Sequence, residues 1–160
     1  MAKQVIDLFA DEGLGRPAAH GFEKVEASLS RVGRVFRRLD SRDQAGARPV
    51  IVAGIASQPG AAYGLAKHLG AHPPNAPEAL AIQRCDLSGA PAVAVTGSDS
   101  QGLMYALLDV AERIGWAESG ADPFEHVRTV TQSPFTSERS MSIYTMHREV
   151  WERRLHDRNH

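Results

Sequence analysis

Two short apolar runs limit what this chain can fold into more than any other feature. Pro49 to Ala56 reads PVIVAGIA and Pro91 to Thr96 reads PAVAVT. The first is a β-branched run bounded by turn formers, as expected for a buried strand, and the second alternates or runs apolar, as a strand does. Strands of that kind need helices to cover them. Gly60 to Gly70 supplies one, with glycine at both ends, and about Asp99 to Gly115 supplies another, with Leu103, Leu107, Val110, Ala111 and Ile114 in a stripe. Ser98 followed by Gln101 has the spacing of a capping box at the start of that second helix.

An offset of 42 residues superposes Pro49 on Pro91, Gly60 on Gly102, Tyr63 on Tyr105 and Leu65 on Leu107. Strand and helix signals therefore occur twice in the same order, which predicts two similar strand-helix units. In each, a glycine and a small residue (Gly64 or Ala106) would let the helix approach its sheet closely. Between the units, Glu78 to Asp86 (EALAIQRCD) has strand character and is joined to PAVAVT through Leu87-Ser88-Gly89-Ala90, a hairpin-length connection. His72 to Pro77 (HPPNAP) breaks regular structure.

Upstream, Val25, Leu29, Val32, Phe36 and Leu39 recur at steps of three and four, which predicts an amphipathic helix over Glu23 to Leu39. Its opposite face carries Arg31, Arg34, Arg37 and Arg38, expected as a solvated face. Downstream, Ala117 to Pro134 is polar and proline-bearing, the texture of a linker. Glu138 to Thr145 has strand character again, and Arg148 to His156 could begin a helix. The expectation is an α+β fold, a βαββα sandwich with two helices on one face of a small mixed sheet. To it are added an N-terminal helix and a C-terminal strand and helix stub. The expected divisions are an extension over residues 1–22, the βαββα domain over 23–116, a linker over 117–135 and the start of a further domain over 136–160.

Charge and composition narrow the partners. With 18 Lys and Arg against 19 Asp and Glu, no global field exists to hold a polyanion, so nucleic acid is not an expected partner. No stretch approaches the ~20 apolar residues of a membrane helix. Lys3, Asp7, Asp11 and Glu12 interrupt the first residues, unlike a signal peptide, and a cytoplasmic location is expected. Cys85 is the single cysteine, so packing and not an internal disulfide must hold the fold.

Three motifs have the spacing of chemistry. Gly97 to Gly102 spans G-x-x-x-x-G between a strand and a helix, where phosphates can meet backbone N–H groups. Leu103 and Met104 stand where Lys and Ser/Thr are required, and Asp99 would repel the anion, so helix capping is the expected role. His156 and His160, at i and i+4, could share a metal ion, but Asp157 stands where a zinc protease needs Glu and no third ligand is apparent. Cys85 has no base near it in sequence and is expected as a small core residue. No catalytic residue, metal ligand or cofactor site is assigned.

The helix SDSQGLMYALLDVAERIGW, preceded by PAVAVTG and followed by a linker and a new strand, resembles one known module. It is similar to the small domain ahead of the catalytic barrel in β-N-acetylhexosaminidases and α-glucuronidases, whose helix carries G-x-x-Y/F-G/A-L. Here Gly102, Tyr105, Ala106 and Leu107 fill those places, and the resemblance covers roughly Glu23 to Trp116. It extends to ERSMSIYTMHR (138–148), which is similar in position to the first barrel strand and lies nearer the α-glucuronidase side. The resemblance implies a non-catalytic accessory domain whose partner is a (β/α)8 barrel of the same polypeptide. Catalytic carboxylates lie on later barrel strands, and the fragment by itself is not expected to be active. Arg139 matches an arginine that contacts sugar hydroxyls, so an oligosaccharide is a further expected ligand. The alternative is a free-standing module that binds a carbohydrate or a protein.

Overall fold

The computed structural model describes residues 4–41, 44, 46–118 and 122–136. Six strands and three helices are formed: β1 (Val5–Ala10), α1 (Gly15–Arg31), β2 (Val35–Leu39), β3 (Val50–Ile55), α2 (Ala61–His68), β4 (Leu80–Leu87), β5 (Ala90–Gly97), α3 (Ser100–Ile114) and β6 (Val130–Gln132). The strands make one mixed sheet in the order β2-β1-β3-β5-β4-β6. β2, β1, β3 and β5 run parallel, while β4 runs antiparallel to both β5 and β6. The fold is α+β, as the sequence pattern indicated.

The two apolar runs are β3 and β5, neighbours in the centre of the sheet. Val50 pairs with Ala92 and Ile51 with Val93, so the 42-residue offset of the sequence is also the register of the two strands. The hairpin between β4 and β5 closes on Ser88 and Gly89, both at positive φ (54° and 80°). This is the conformation that a two-residue turn needs to match the strand twist.

Strand alternation sends neighbouring residues to opposite faces of the sheet. On one face Ile6, Leu8, Ile51, Val93 and Val95 meet Phe22, Val25 and Leu29 of α1 and Leu103, Leu107, Val110 and Ile114 of α3. On the other, Val50, Val52, Ala92 and Ala94 meet Ala62, Leu65 and Ala66 of α2. The helices of the two strand-helix units, α2 and α3, therefore cover opposite faces. The expectation of both on one face is corrected: α3 shares its face with α1.

Four other expectations change with the structure. The helix predicted over Glu23–Leu39 begins at Gly15 and ends at Arg31. Gly33, at φ +74°, donates to Ser30 O, and the N–H of Arg34 returns to Leu29 O at 2.9 Å. That is a Schellman motif, which satisfies the last carbonyls and turns the chain out of the helix. Phe36 and Leu39 consequently lie on a strand, pointing to opposite faces.

The arginines read as one solvated helix face are dispersed for the same reason. Arg34 is buried, Arg37 pairs with the fully buried Asp7 of β1 through two hydrogen bonds of 2.8 and 2.9 Å, and Arg38 pairs with Glu26 at 2.9 Å. The Asp7 contact holds the Arg37 guanidinium above its usual range.

Within the expected extension over residues 1–22, the described part from Gln4 onward belongs to the domain itself. Val5–Ala10 lies between β2 and β3 in the sheet, with Ile6, Leu8 and Phe9 buried.

Residues 117–135 do not behave as a linker where they are described. Phe124 is fully buried in the core beside α1 and α3, and Val130–Gln132 extends the sheet as β6. Arg84 clamps this segment, with one guanidinium nitrogen on Asp122 and another 3.0 Å from Glu125 O. Arg34 faces the same segment. Burial pushes its pKa down, against the upward pull of Asp122 and Glu125. The expected barrel entry over 136–160 lies outside the described residues apart from its first position.

Candidate functional site

Open α/β sheets bind ligands beyond the carboxyl ends of their parallel strands, where successive helices depart to opposite faces. Here that place lies between β1, whose helix α1 covers one face, and β3, whose helix α2 covers the other. The side chain at its centre is Asp11, one residue past β1. Its Oδ1 accepts the N–H of Ala62 at 2.8 Å, and its Oδ2 accepts those of Tyr63 at 2.9 Å and Gly60 at 3.2 Å. One carboxylate thus satisfies three of the orphan N–H groups that open α2 and complements its dipole.

Two glycines make room for that carboxylate. A Cβ on Gly60 would stand 2.2 Å from Asp11 Oδ1, and one on Gly54 would stand 2.7 Å from Oδ2 and 2.6 Å from Tyr63 Cβ. Gly54 and Gly60 therefore serve close approach, and any larger residue would displace the cap.

The same use of polar groups recurs at the end of β5. Asp99 is the N-cap of α3: its Oδ1 accepts Gly102 N–H at 2.8 Å and its Oδ2 accepts Glu78 N–H at 2.9 Å. Ser98 Oγ accepts the N–H of Ala79 at 3.0 Å, and Ser100 Oγ accepts that of Ala18 at 3.3 Å. The capping role expected within Gly97–Gly102 is present, but it falls to Asp99, one residue after Ser98. A Cβ on Gly97 would sit 2.1 Å from Leu103 N, so the turn packs closely against the start of its own helix.

Beside Asp11, on the α1 side of β1, the carboxyl ends of β1 and β2 border a cleft of about 560 Å³. Phe22 and Leu14 contribute apolar walls, while Glu12, Glu23, Glu26 and Asp40 contribute acidic groups. Its one arginine, Arg38, is neutralised by Glu26 and lies over the rings of Phe22 and Phe36, at 5.5 and 5.8 Å from their centroids. The α1 helix that opens onto the cleft has Leu14 at its N-cap and no side-chain cap. Neither the acids of this cleft nor its glycine-bearing loop carried a recognisable spacing in the sequence. The apolar run before it, VIDLFA interrupted only by Asp7, was the one available signal.

The other residues singled out from sequence are scattered. Cys85 lies on β4 with its Sγ 3.7 Å from Ala92 O, and burial pushes its thiol pKa up. A raised pKa disfavours the thiolate that a nucleophile needs. Arg139, His156 and His160 lie outside the described residues. Among the described residues no group of three or more His, Cys, Asp or Glu side chains is placed to hold one metal ion. Nor, among them, is any helix long and apolar enough to cross a membrane.

Two aromatics are exposed among the described residues. Trp116, just past α3, is 55% exposed, with Arg113 over its ring and the ring of His126 edge-on at 6.4 Å. Phe135, where the chain leaves β6, is wholly exposed.

Comparison with known proteins gives little beyond this. No family model matches the chain, and no curated protein matches it. A solved glycoside hydrolase structure, titled "Structure of CpGH84D", aligns with a TM-score of 0.47 at 12% identity. The alignment covers 72% of this chain and 18% of that one. The likeness is loose, and the chain spans under a fifth of that hydrolase.

Proposed function

We propose that this chain is a non-catalytic domain of a glycoside hydrolase, bracing a (β/α)8 catalytic domain carried by the same polypeptide. The observation that carries the reading is the employment of the polar groups at the strand ends. Where α/β enzymes place their chemistry, Asp11, Asp99, Ser98 and Ser100 here all accept backbone N–H groups of helices and loops. Groups so engaged hold a scaffold together, which supports a bracing role. The tie to glycoside hydrolases rests on the resemblance through Gly102, Tyr105, Ala106 and Leu107. In support, Gly102 lets α3 approach the strand start: a Cβ there would stand 2.2 Å from Ala79 O, and Ala106 and Leu107 are fully buried beneath it.

On this reading the 160-residue chain shows no turnover of aryl glycosides, while the polypeptide extended past His160 does. Arg139 contacts sugar hydroxyls in the extended protein, so Arg139→Ala raises KM there by about tenfold, as expected for one lost charge-assisted hydrogen bond worth ~1.5 kcal/mol or more. Steady-state kinetics on the two proteins check both statements. Hydrolysis by the 160-residue chain alone would overturn the non-catalytic assignment.

A second reading, a free-standing carbohydrate- or protein-binding module, is favoured by the cleft beside Asp11. Amide shifts confined to residues such as Gly13, Phe22 and Asp40 on titration with an oligosaccharide series would support it. Absence of any saturable shift leaves the bracing role.

A further inference from the structure

We draw no further inference here: the strongest candidate, the cleft at the carboxyl ends of β1 and β2 with Glu12, Glu23 and Asp40 around the uncapped start of α1, belongs to the site already described and rests on a helix N-terminus and an acidic cluster, with nothing else in the structure that points to a ligand.

Discussion

The two faces of the sheet are built to different thicknesses. The face under α1 and α3 carries the larger residues of the central strands, Ile51, Val93 and Val95, beneath helices of 17 and 15 residues. The face under α2 carries Ala92 and Ala94 beside Val50 and Val52, beneath a helix of eight residues whose buried side chains are Ala62, Leu65 and Ala66. In β5 the alternation is plain, Ala92 and Ala94 one way and Val93 and Val95 the other. Small residues on both partners bring backbones together, which is how Asp11 comes within reach of the first turn of α2. The comparison teaches that a strand buried on both sides still encodes two unlike interfaces, one bulky and one close.

The same contrast separates the two strand-helix units that the 42-residue offset relates. Their strands pair side by side, yet their helices meet opposite faces, so matched positions have unmatched surroundings. Gly64 matches Ala106: Ala106 is fully buried, whereas a Cβ on Gly64 would meet nothing within 4 Å. Close approach is thus needed at the matched glycines Gly60 and Gly102 and not at Gly64.

The largest effect that would break this picture is expected on the bulky face. Phe124→Ala should lower stability by about 3–5 kcal/mol, the usual loss for a buried phenylalanine, because Phe124 is fully enclosed there. Chemical denaturation measures it, and an unchanged midpoint would return residues 122–127 to the status of a linker. Next, Gly102→Ala should cost about 1–3 kcal/mol through overpacking against Ala79 O. Thermal unfolding of that variant beside the parent reads the loss.

At Gly64 of the other unit, the counterpart of Ala106, the sign reverses. Gly64→Ala adds a methyl group to open space in a helix interior and should stabilise by about 0.4–1 kcal/mol. A fall in melting temperature would show that α2 has a close neighbour at Gly64 after all.

The smallest effect concerns Cys85, which packs against the thin face. Burial raises its thiol pKa in the folded chain, so folding favours the protonated thiol. That contribution is complete below the unfolded-state pKa and is lost as pH rises through the higher folded value. Alkylation near pH 8 should therefore be slower in the native chain than in denaturant, and equal rates would place the thiol in water.

Much of the fold was legible because its signals are local. β3, β5, the β4–β5 hairpin, α2 and α3 follow from short apolar runs, turn glycines and an apolar stripe, each contained in about a dozen residues. The region around Gly33 misled because the i, i+4, i+7 spacing of Val25, Leu29 and Val32 continues by coincidence into Phe36 and Leu39. One glycine at φ +74° ends the helix there, and the strand that follows has too few residues to show its own period. β1 was hidden by Asp7, whose charge looks wrong for a buried strand until Arg37 is placed beside it. The strap carrying Phe124 was hidden by its prolines and acids, since what anchors it is Arg84, some forty residues away.

The candidate site was less legible than the fold. Asp99 was in view as part of a capping pattern, but Asp11 was not, because its three partners lie about fifty residues further along the chain.

By itself, the sequence determined the class of the fold, the two central strands and the two helices that follow them, because hydrophobic period and turn chemistry act over a few residues at a time. The tertiary structure decided which face each helix covers, where α1 gives way to β2, and that Asp11 and Asp99 cap α2 and α3. Those outcomes depend on pairs far apart in the chain, which meet only after the sheet has closed.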